Sequence, residues 1–427
     1  MSVLKDLNEL ISNGIITKEI ASNIENYYNS KKSDSTNKLF IVFGILGAIL
    51  VGLGIILILA HNWDNLSRFT KTILAFTPLL IGQLICGYVL LTKRKNVAWR
   101  ESASTFLFFS VGASISLVSQ IYNIPGNINT FVLTWMLLCL PLVYLLKSSI
   151  TSLLYIIGIT YFACNSSYWS YPNKESYEFW LLLILIIPHY YNLFKNSPKG
   201  NFLIFHNWFI PLSIIITLGT LSHNYEKLMY LVYISLFGLY LIIGETDYFK
   251  NNKLRNNSYK VLGSVGTLIT LLILSFNEFW GKLQTVEFIF LKLLDYIEIA
   301  TIVIITCAAV ILFFIQKTYQ SIKNSSLIEY VFLLFIPIFL VGLYSSISVI
   351  LINLLIFIIG ILTIKKGSNL NHLGVLNFGL ILITVLVICR FFDTDLSFVL
   401  RGLLFVSVGA GFFIANYLML KKRKNEK

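Results

Sequence analysis

Three short polar stretches interrupt a chain otherwise rich in leucine, isoleucine and phenylalanine, and they hold the residue types that could do chemistry. The first is His61-Asn62-Trp63-Asp64, followed closely by Arg68. The second is Ser119-Gln120-Ile121-Tyr122-Asn123, preceded by Ser110, Ser114 and Ser116. The third is Arg390-Phe391-Phe392-Asp393-Thr394-Asp395, with Arg401 just inside the apolar segment that follows. An aspartate beside hydrocarbon can accept a proton or a cation, and an arginine can hold an anion through parallel N–H donors. An ionised group at the centre of an apolar span costs roughly 2.5–3.5 kcal/mol, and less near its ends. A chain with so little charge is therefore expected to place Asp64, Arg390, Asp393, Asp395 and Arg401 at span boundaries only where something compensates them. The plainer alternative is interfacial capping. Asp64 and Asp395 would then sit near helix starts, Trp63 and the Phe pair would anchor at the interface, and the arginines would reach for headgroups.

Other chemistry finds little support. No HExxH, GxSxG or Gly-rich phosphate loop stands in a suitable setting. His189 and His206 read as isolated histidines without metal-ligand spacing. Glu298 and Glu329 begin apolar segments and read as end caps. Cys86, Cys139, Cys164, Cys307 and Cys389 all lie in or at the ends of apolar segments without CxxC spacing. They read as small apolar thiols, neither a disulfide framework nor a zinc site. No metal, no cofactor and no soluble-type catalysis is expected.

The elements that must position the polar stretches are membrane spans. Of 427 residues, 56% are hydrophobic and 12% charged, against roughly 25% charged in an ordinary soluble domain. The apolar residues come in blocks of about 18 to 23, the length that crosses ~30 Å of hydrocarbon at 1.5 Å per residue. The expected fold is all-α: a polytopic transmembrane helix bundle of about 14 spans. These cover 39–60, 72–92, 103–121, 128–146, 150–164, 179–194, 202–221, 228–244, 261–279, 297–316, 327–344, 347–364, 373–390 and 398–420. The first 37 residues show no secretory pattern, so the first span is expected to act as an uncleaved anchor.

The net charge of +13 does not point to nucleic acid, because the basic residues sit in short loops and not on one face. With the N-terminus inside, alternate inner segments hold 25 of the 33 Lys and Arg, and the outer loops hold six. Cationic side chains accumulate on the cytoplasmic side, so both termini are expected there. All three polar stretches then fall on the extracytoplasmic face. The outer loop 280–296 spaces Lys282, Glu287, Lys292 and Asp295 between apolar residues, the pattern of an amphipathic helix on the membrane surface.

Residues 1–30 form the only plausible soluble element. Leu4, Leu7, Leu10 and Ile11 make an apolar stripe, Gly14 ends that helix, and Thr17 caps a second. A pair this small cannot fold alone and is expected to dock on the membrane, on a cytoplasmic partner or on another copy. A polar linker, 31–38, leads into the bundle of 39–420, and 421–427 is a basic cytoplasmic tail. Small residues four apart (Gly44, Ala48 and Gly52; Gly112 and Ser116; Ser407, Gly411 and Ala415) mark packing seams. Pro78, Pro141, Pro188, Pro211 and Pro337 fall inside spans, where each frees carbonyls that must find partners within the protein.

Several of these residues also carry a resemblance. Gly14-Ile-Ile-Thr17-Lys-Glu19, Gly44-Ile-Leu-Gly47 leading into Ala60-His-Asn-Trp-Asp64, Ser119-Gln120-Ile-Tyr122, and Trp135 in the fourth span are similar to the bacterial membrane proteins grouped as the domain of unknown function 2157 family. Arg390-Phe-Phe-Asp393-Thr-Asp395-Leu-Ser397 through Arg401-Gly402 to Gly411 resembles the C-terminal signature of related members. The resemblance runs over about 1–150 and 373–427 and is thin between. It implies a multi-pass protein of the bacterial cytoplasmic membrane, and it carries no activity and no catalytic residues. The candidate binding set is therefore His61, Asn62, Trp63, Asp64, Arg68, Gln120, Tyr122, Trp135, Arg390, Asp393, Asp395 and Arg401. The function expected is binding or transport of a small or lipid-linked ligand at the outer face. The alternatives are a scaffold recruiting a partner through residues 1–30, and an intramembrane enzyme on lipid-linked substrates with Asp64 as its base.

Overall fold

The computed structural model describes residues 3–26, 43, 50, 65–169, 175–222, 228–284, 297–316, 327–393 and 398–425. Among them every regular element is helical. The first expected span apart from Phe43 and Leu50, the His61–Asp64 stretch, residues 285–296 and Asp395 lie outside the described residues. The chain divides into two compact units, Met1–Ser152 and Leu153–Lys427.

The first unit opens with a helical hairpin, α1 (Val3–Ser12) and α2 (18–26). Gly14 turns between them with φ +68, a conformation that costs glycine nothing. The Thr17 hydroxyl accepts from the Ile20 amide, and Leu7 and Ala21 are buried. Three long helices follow: α3 (Arg68–Thr92), α4 (Val97–Tyr122) and α5 (Ile128–Leu145). Each starts on a side-chain cap that satisfies an orphan amide. Ser67 accepts from Thr70 N, Asn96 from Trp99 N, and Asn127 from Thr130 N. Asn123, left-handed at φ 51, ends α4 by returning its amide to the Ser119 carbonyl. The α3–α4 pair closes on Ala75, Cys86, Val89, Ala103 and Leu107. Ser114 Oγ donates to the Ala75 carbonyl at 2.7 Å, one residue beyond the carbonyl that Pro78 frees.

Helix α6 (Ser149–Ser167) begins in the first unit and continues into the second. The second unit then runs α7 (Glu178–Ile184), α8 (Ile187–Asn196), α9 (Asn201–Leu218), α10 (Met229–Gly244), the single turn α11 (Asp247–Lys250), α12 (Ser258–Leu274), α13 (Asn277–Gln284), α14 (Ile297–Gln316), α15 (Val331–Gly342), α16 (Ile347–Asn369), α17 (Leu373–Asp393) and α18 (Phe398–Asn425). Helix α10 packs against α12, α14 and α15. Its 16 residues reach about 24 Å, and most of them are buried. The core around it gathers Ile234, Leu271, Phe332, Phe335, Phe339 and Trp280.

By length and composition, eight of the described helices could cross a membrane, and four shorter apolar helices accompany them. Phe69, Leu84, Leu91, Phe314 and Ile315 stand exposed on their outer faces, a surface suited to hydrocarbon and costly in water. Expected spans 72–92, 128–146 and 297–316 return as α3, α5 and α14. Three details differ. The polar turn 93–102 shrinks, because α4 already begins at Val97. Expected span 179–194 is two short helices, with Pro188 in the first turn of the second. At that break the Ile186 amide turns to the Leu183 carbonyl, and Tyr155 Oη donates to the Leu182 carbonyl. Finally, the described start of 280–296 belongs to α13, where Trp280 is fully buried and donates to the Leu274 carbonyl at 2.7 Å.

Candidate functional site

The start of α3 and the end of α4 lie side by side in the first unit. Arg68 opens α3, and its guanidinium carbon stands 5.4 Å from the centre of the Tyr122 ring. Tyr122 Oη and Thr72 Oγ1 share a hydrogen bond of 3.0 Å. The structure therefore joins the last residue of the first polar stretch to the second stretch. Arg68 and Lys71 are both cations in the first turn of a helix, where the macrodipole disfavours positive charge. The ring face of Tyr122 offsets part of that cost for Arg68, by about 0.5–1 kcal/mol at an exposed site. Gln120 is exposed on the same end of α4. Ser119 Oγ donates to the Ile124 carbonyl, so that hydroxyl serves the turn.

An open groove of about 900 Å³ runs along α4, and its lining reaches Ser119 and the α4–α5 turn, the end of α4 at which Tyr122 stands. Its shaft is apolar: Phe76 and Leu79 from α3, Leu107, Val111 and Ile115 from α4, Phe131, Leu138 and Leu142 from α5. Its polar lining includes Ser119, Asn127 and Thr130 near the α4–α5 turn, with Gln83, Ser114, Ser116 and Thr134 along the sides.

Trp135 plays another part. A Cβ at Gly112 would come within 2.5 Å of the indole, so the ring occupies a notch that only glycine leaves open. Its Nε1 donates to the Phe108 carbonyl at 2.8 Å, and Phe108, Phe109 and Phe131 surround it. This is the bolt between α4 and α5.

Glu101 is a residue that sequence reasoning passed over. It lies buried in the second turn of α4 and accepts from Ser148 Oγ at 2.5 Å and from the Ser149 and Ile150 amides at 2.9 Å. Ser148, Thr151 and Ser104 close the network among themselves. A carboxylate thus caps the start of α6 from a neighbouring helix, satisfying orphan amides and complementing the positive end of the dipole. The legible signal was the run Ser148-Ser149-Ile150-Thr151-Ser152, a helix start with more hydroxyls than one cap needs.

The third stretch belongs to the second unit. Arg390, half-buried near the end of α17, donates through Nη2 to Ser275 Oγ at 3.1 Å and lies 4.9 Å from the centre of the Phe276 ring. A cation in the last turn of a helix is favourably placed. Asp393 ends α17 and Arg401 stands in the first turn of α18. The expected members His61, Asn62, Trp63, Asp64 and Asp395 fall outside the described residues.

The model of the predicted membrane protein family DUF2157 matches residues 8–152, and so bears out the resemblance seen in the N-terminal part of the sequence. The match ends where the first compact unit ends. Neither a curated protein nor a solved structure is significantly similar to the chain.

Proposed function

We propose that the first unit binds an anionic amphiphile of the membrane, a lipid or lipid-linked ligand, with its chain in the α3–α4–α5 groove and its headgroup at Arg68, Lys71 and Tyr122. The observation that carries this reading is the pairing of an open apolar groove with a helix start that bears two cations. Positive charge at a helix N-terminus suits a phosphate or carboxylate, and the groove shaft suits an acyl or isoprenoid chain. In the orientation proposed from the basic loops, with both termini cytoplasmic, this headgroup end faces outward. The reading takes the chain to be a multi-pass protein of a bacterial cytoplasmic membrane.

The test is photo-crosslinking of the full-length protein in nanodiscs, with a diazirine analogue of phosphatidylglycerol against one of phosphatidylcholine. The expected result is preferential labelling of α4 and α5 by the anionic probe. Arg68→Gln should weaken that labelling about tenfold, the scale of one charge-assisted hydrogen bond. Ile115→Trp should block both probes by filling the shaft. Equal labelling by the two lipids, unmoved by Arg68→Gln, would remove the reading.

A further inference from the structure

The end of the first unit opposite Tyr122 carries a cluster of cations. Lys93, Arg94 and Lys95 lie in the α3–α4 turn, Arg100 in the first turn of α4 and Lys147 in the α5–α6 turn. No acid stands between Thr92 and Arg100. Glu101 fastens the α5–α6 turn to α4 through Ser148, Ser149 and Ile150, which brings Lys147 to the same end as Arg100. Lys147 holds a left-handed backbone at φ 50, a conformation uncommon outside glycine.

Loop cations by themselves only orient a chain in the membrane. Arg100 is different. It is half-buried, and its Nε is buried without a hydrogen-bond partner. A guanidinium nitrogen withdrawn from water needs an acceptor. The neighbouring carboxylate is committed elsewhere: Glu101 Oε1 accepts from the Ser149 amide, and Oε2 accepts from Ser148 Oγ and the Ile150 amide. Position adds to the demand, because the positive end of the helix dipole disfavours a cation in the first turn. An anion answers both, and the planar fork of a guanidinium matches a phosphate.

The depth is that of a lipid headgroup. Leu84 and Leu91 stand exposed on the outer face of α3, and the cations begin two residues beyond Leu91. Trp99, the residue before Arg100, meets Tyr88 edge to face with ring centres 6.0 Å apart, and both rings are exposed. Exposed Trp and Tyr at the ends of spans mark the level where hydrocarbon gives way to headgroups.

We propose that Arg100 holds the phosphate of an anionic phospholipid, drawn there by Lys93, Arg94, Lys95 and Lys147, with the acyl chains of that lipid left in the surrounding bilayer. The site is separate from the groove and does not rest on the function proposed for it.

The experiment is native mass spectrometry of the full-length protein in detergent micelles, titrated with phosphatidylglycerol and, separately, with phosphatidylcholine. The expected result is about one phosphatidylglycerol per chain that persists in Arg68→Gln. Adding Arg100→Gln to that variant should weaken its retention about tenfold, the scale of one charge-assisted hydrogen bond. Adding Arg100→Lys instead should weaken it less, since the charge stays and the fork is lost. A lipid lost in Arg68→Gln alone belongs to the groove, so the two sites stand or fall separately. A photoreactive-headgroup analogue of phosphatidylglycerol should label residues 93–104 of the unaltered protein, and no labelling there would overturn the proposal whether or not the variants fold. Equal retention of the two lipids, or retention unmoved by Arg100→Gln, would overturn it equally. So would a rise in melting temperature on inorganic phosphate as large as that on phosphatidylglycerol, which would make the ligand a soluble anion.

Discussion

The two units satisfy buried polar groups in different ways. In residues 1–152 the long helices α3, α4 and α5 meet most of their polar demand at the ends, and there the partners close on one another. Glu101 takes three donors, and Ser104, Ser148 and Thr151 complete the circuit. In residues 153–427 long helices alternate with short or broken ones such as α7 and α8, and there the demand arises inside the core. Single hydroxyls answer it one carbonyl at a time: Tyr155 at Leu182, Ser258 at Asn207, Tyr240 at Pro211. Several buried polar atoms of this unit stay without a hydrogen-bond partner, Trp180 Nε1 and His189 Nε2 among them. The difference teaches that where a helix ends or breaks sets where its polar partners must be found. Capping belongs to the rim of a bundle with long helices, and a break inside a core draws single hydroxyls to the carbonyls it exposes.

The same contrast holds for the two central tryptophans, and the largest expected effect tests it. Trp280 is fully buried beneath α15, whereas Trp135 is half-buried in the α4 notch. Trp280→Ala should cost about 3–5 kcal/mol and Trp135→Ala about 2 kcal/mol, read by reversible unfolding in mixed micelles. Equal losses would erase the distinction between a dense core and a two-helix seam.

Next in size is the notch itself. Gly112→Leu should destabilise by about 1–3 kcal/mol through overpacking, and adding Trp135→Phe should recover part of that loss. Additivity of the two changes would show that the indole is not what fills the space. The smallest effects concern the caps. Glu101→Gln keeps the shape but removes the charge from three hydrogen bonds, at about 1–2 kcal/mol, and Ser258→Ala should cost about 1 kcal/mol by leaving one carbonyl unpaired. If Ser258→Ala cost more than Glu101→Gln, the assignment of networked against solitary partners would be reversed.

Much of the helical layout was legible in the sequence. Long apolar runs flanked by polar loops fixed α3, α5 and α14 closely, since an end-to-end hydrocarbon crossing admits little freedom in length. The run 179–194 was different. Apolar residues continue across its break, so only Pro188 signalled it, and the partner that completes the break, Tyr155, lies on another helix. Sites were less legible than spans. Arg68 and Tyr122 are far apart in sequence and meet only because α3 and α4 form a hairpin of matched length. Glu101 falls between two expected spans, and the helix start at Val97 carries it inside.

Trp135 also limits how the first unit can change shape. Its ring sits in the gap at Gly112 and its N–H is tied to the backbone at Phe108, so α5 cannot slide along α4 without lifting the indole out. One helical turn away in one direction stands Ser116, small enough to receive the ring, and in the other stands Phe108, which is not. A one-turn shift of the indole toward Phe108 would therefore meet a bulky ring, whereas one toward Ser116 would meet a hydroxymethyl group.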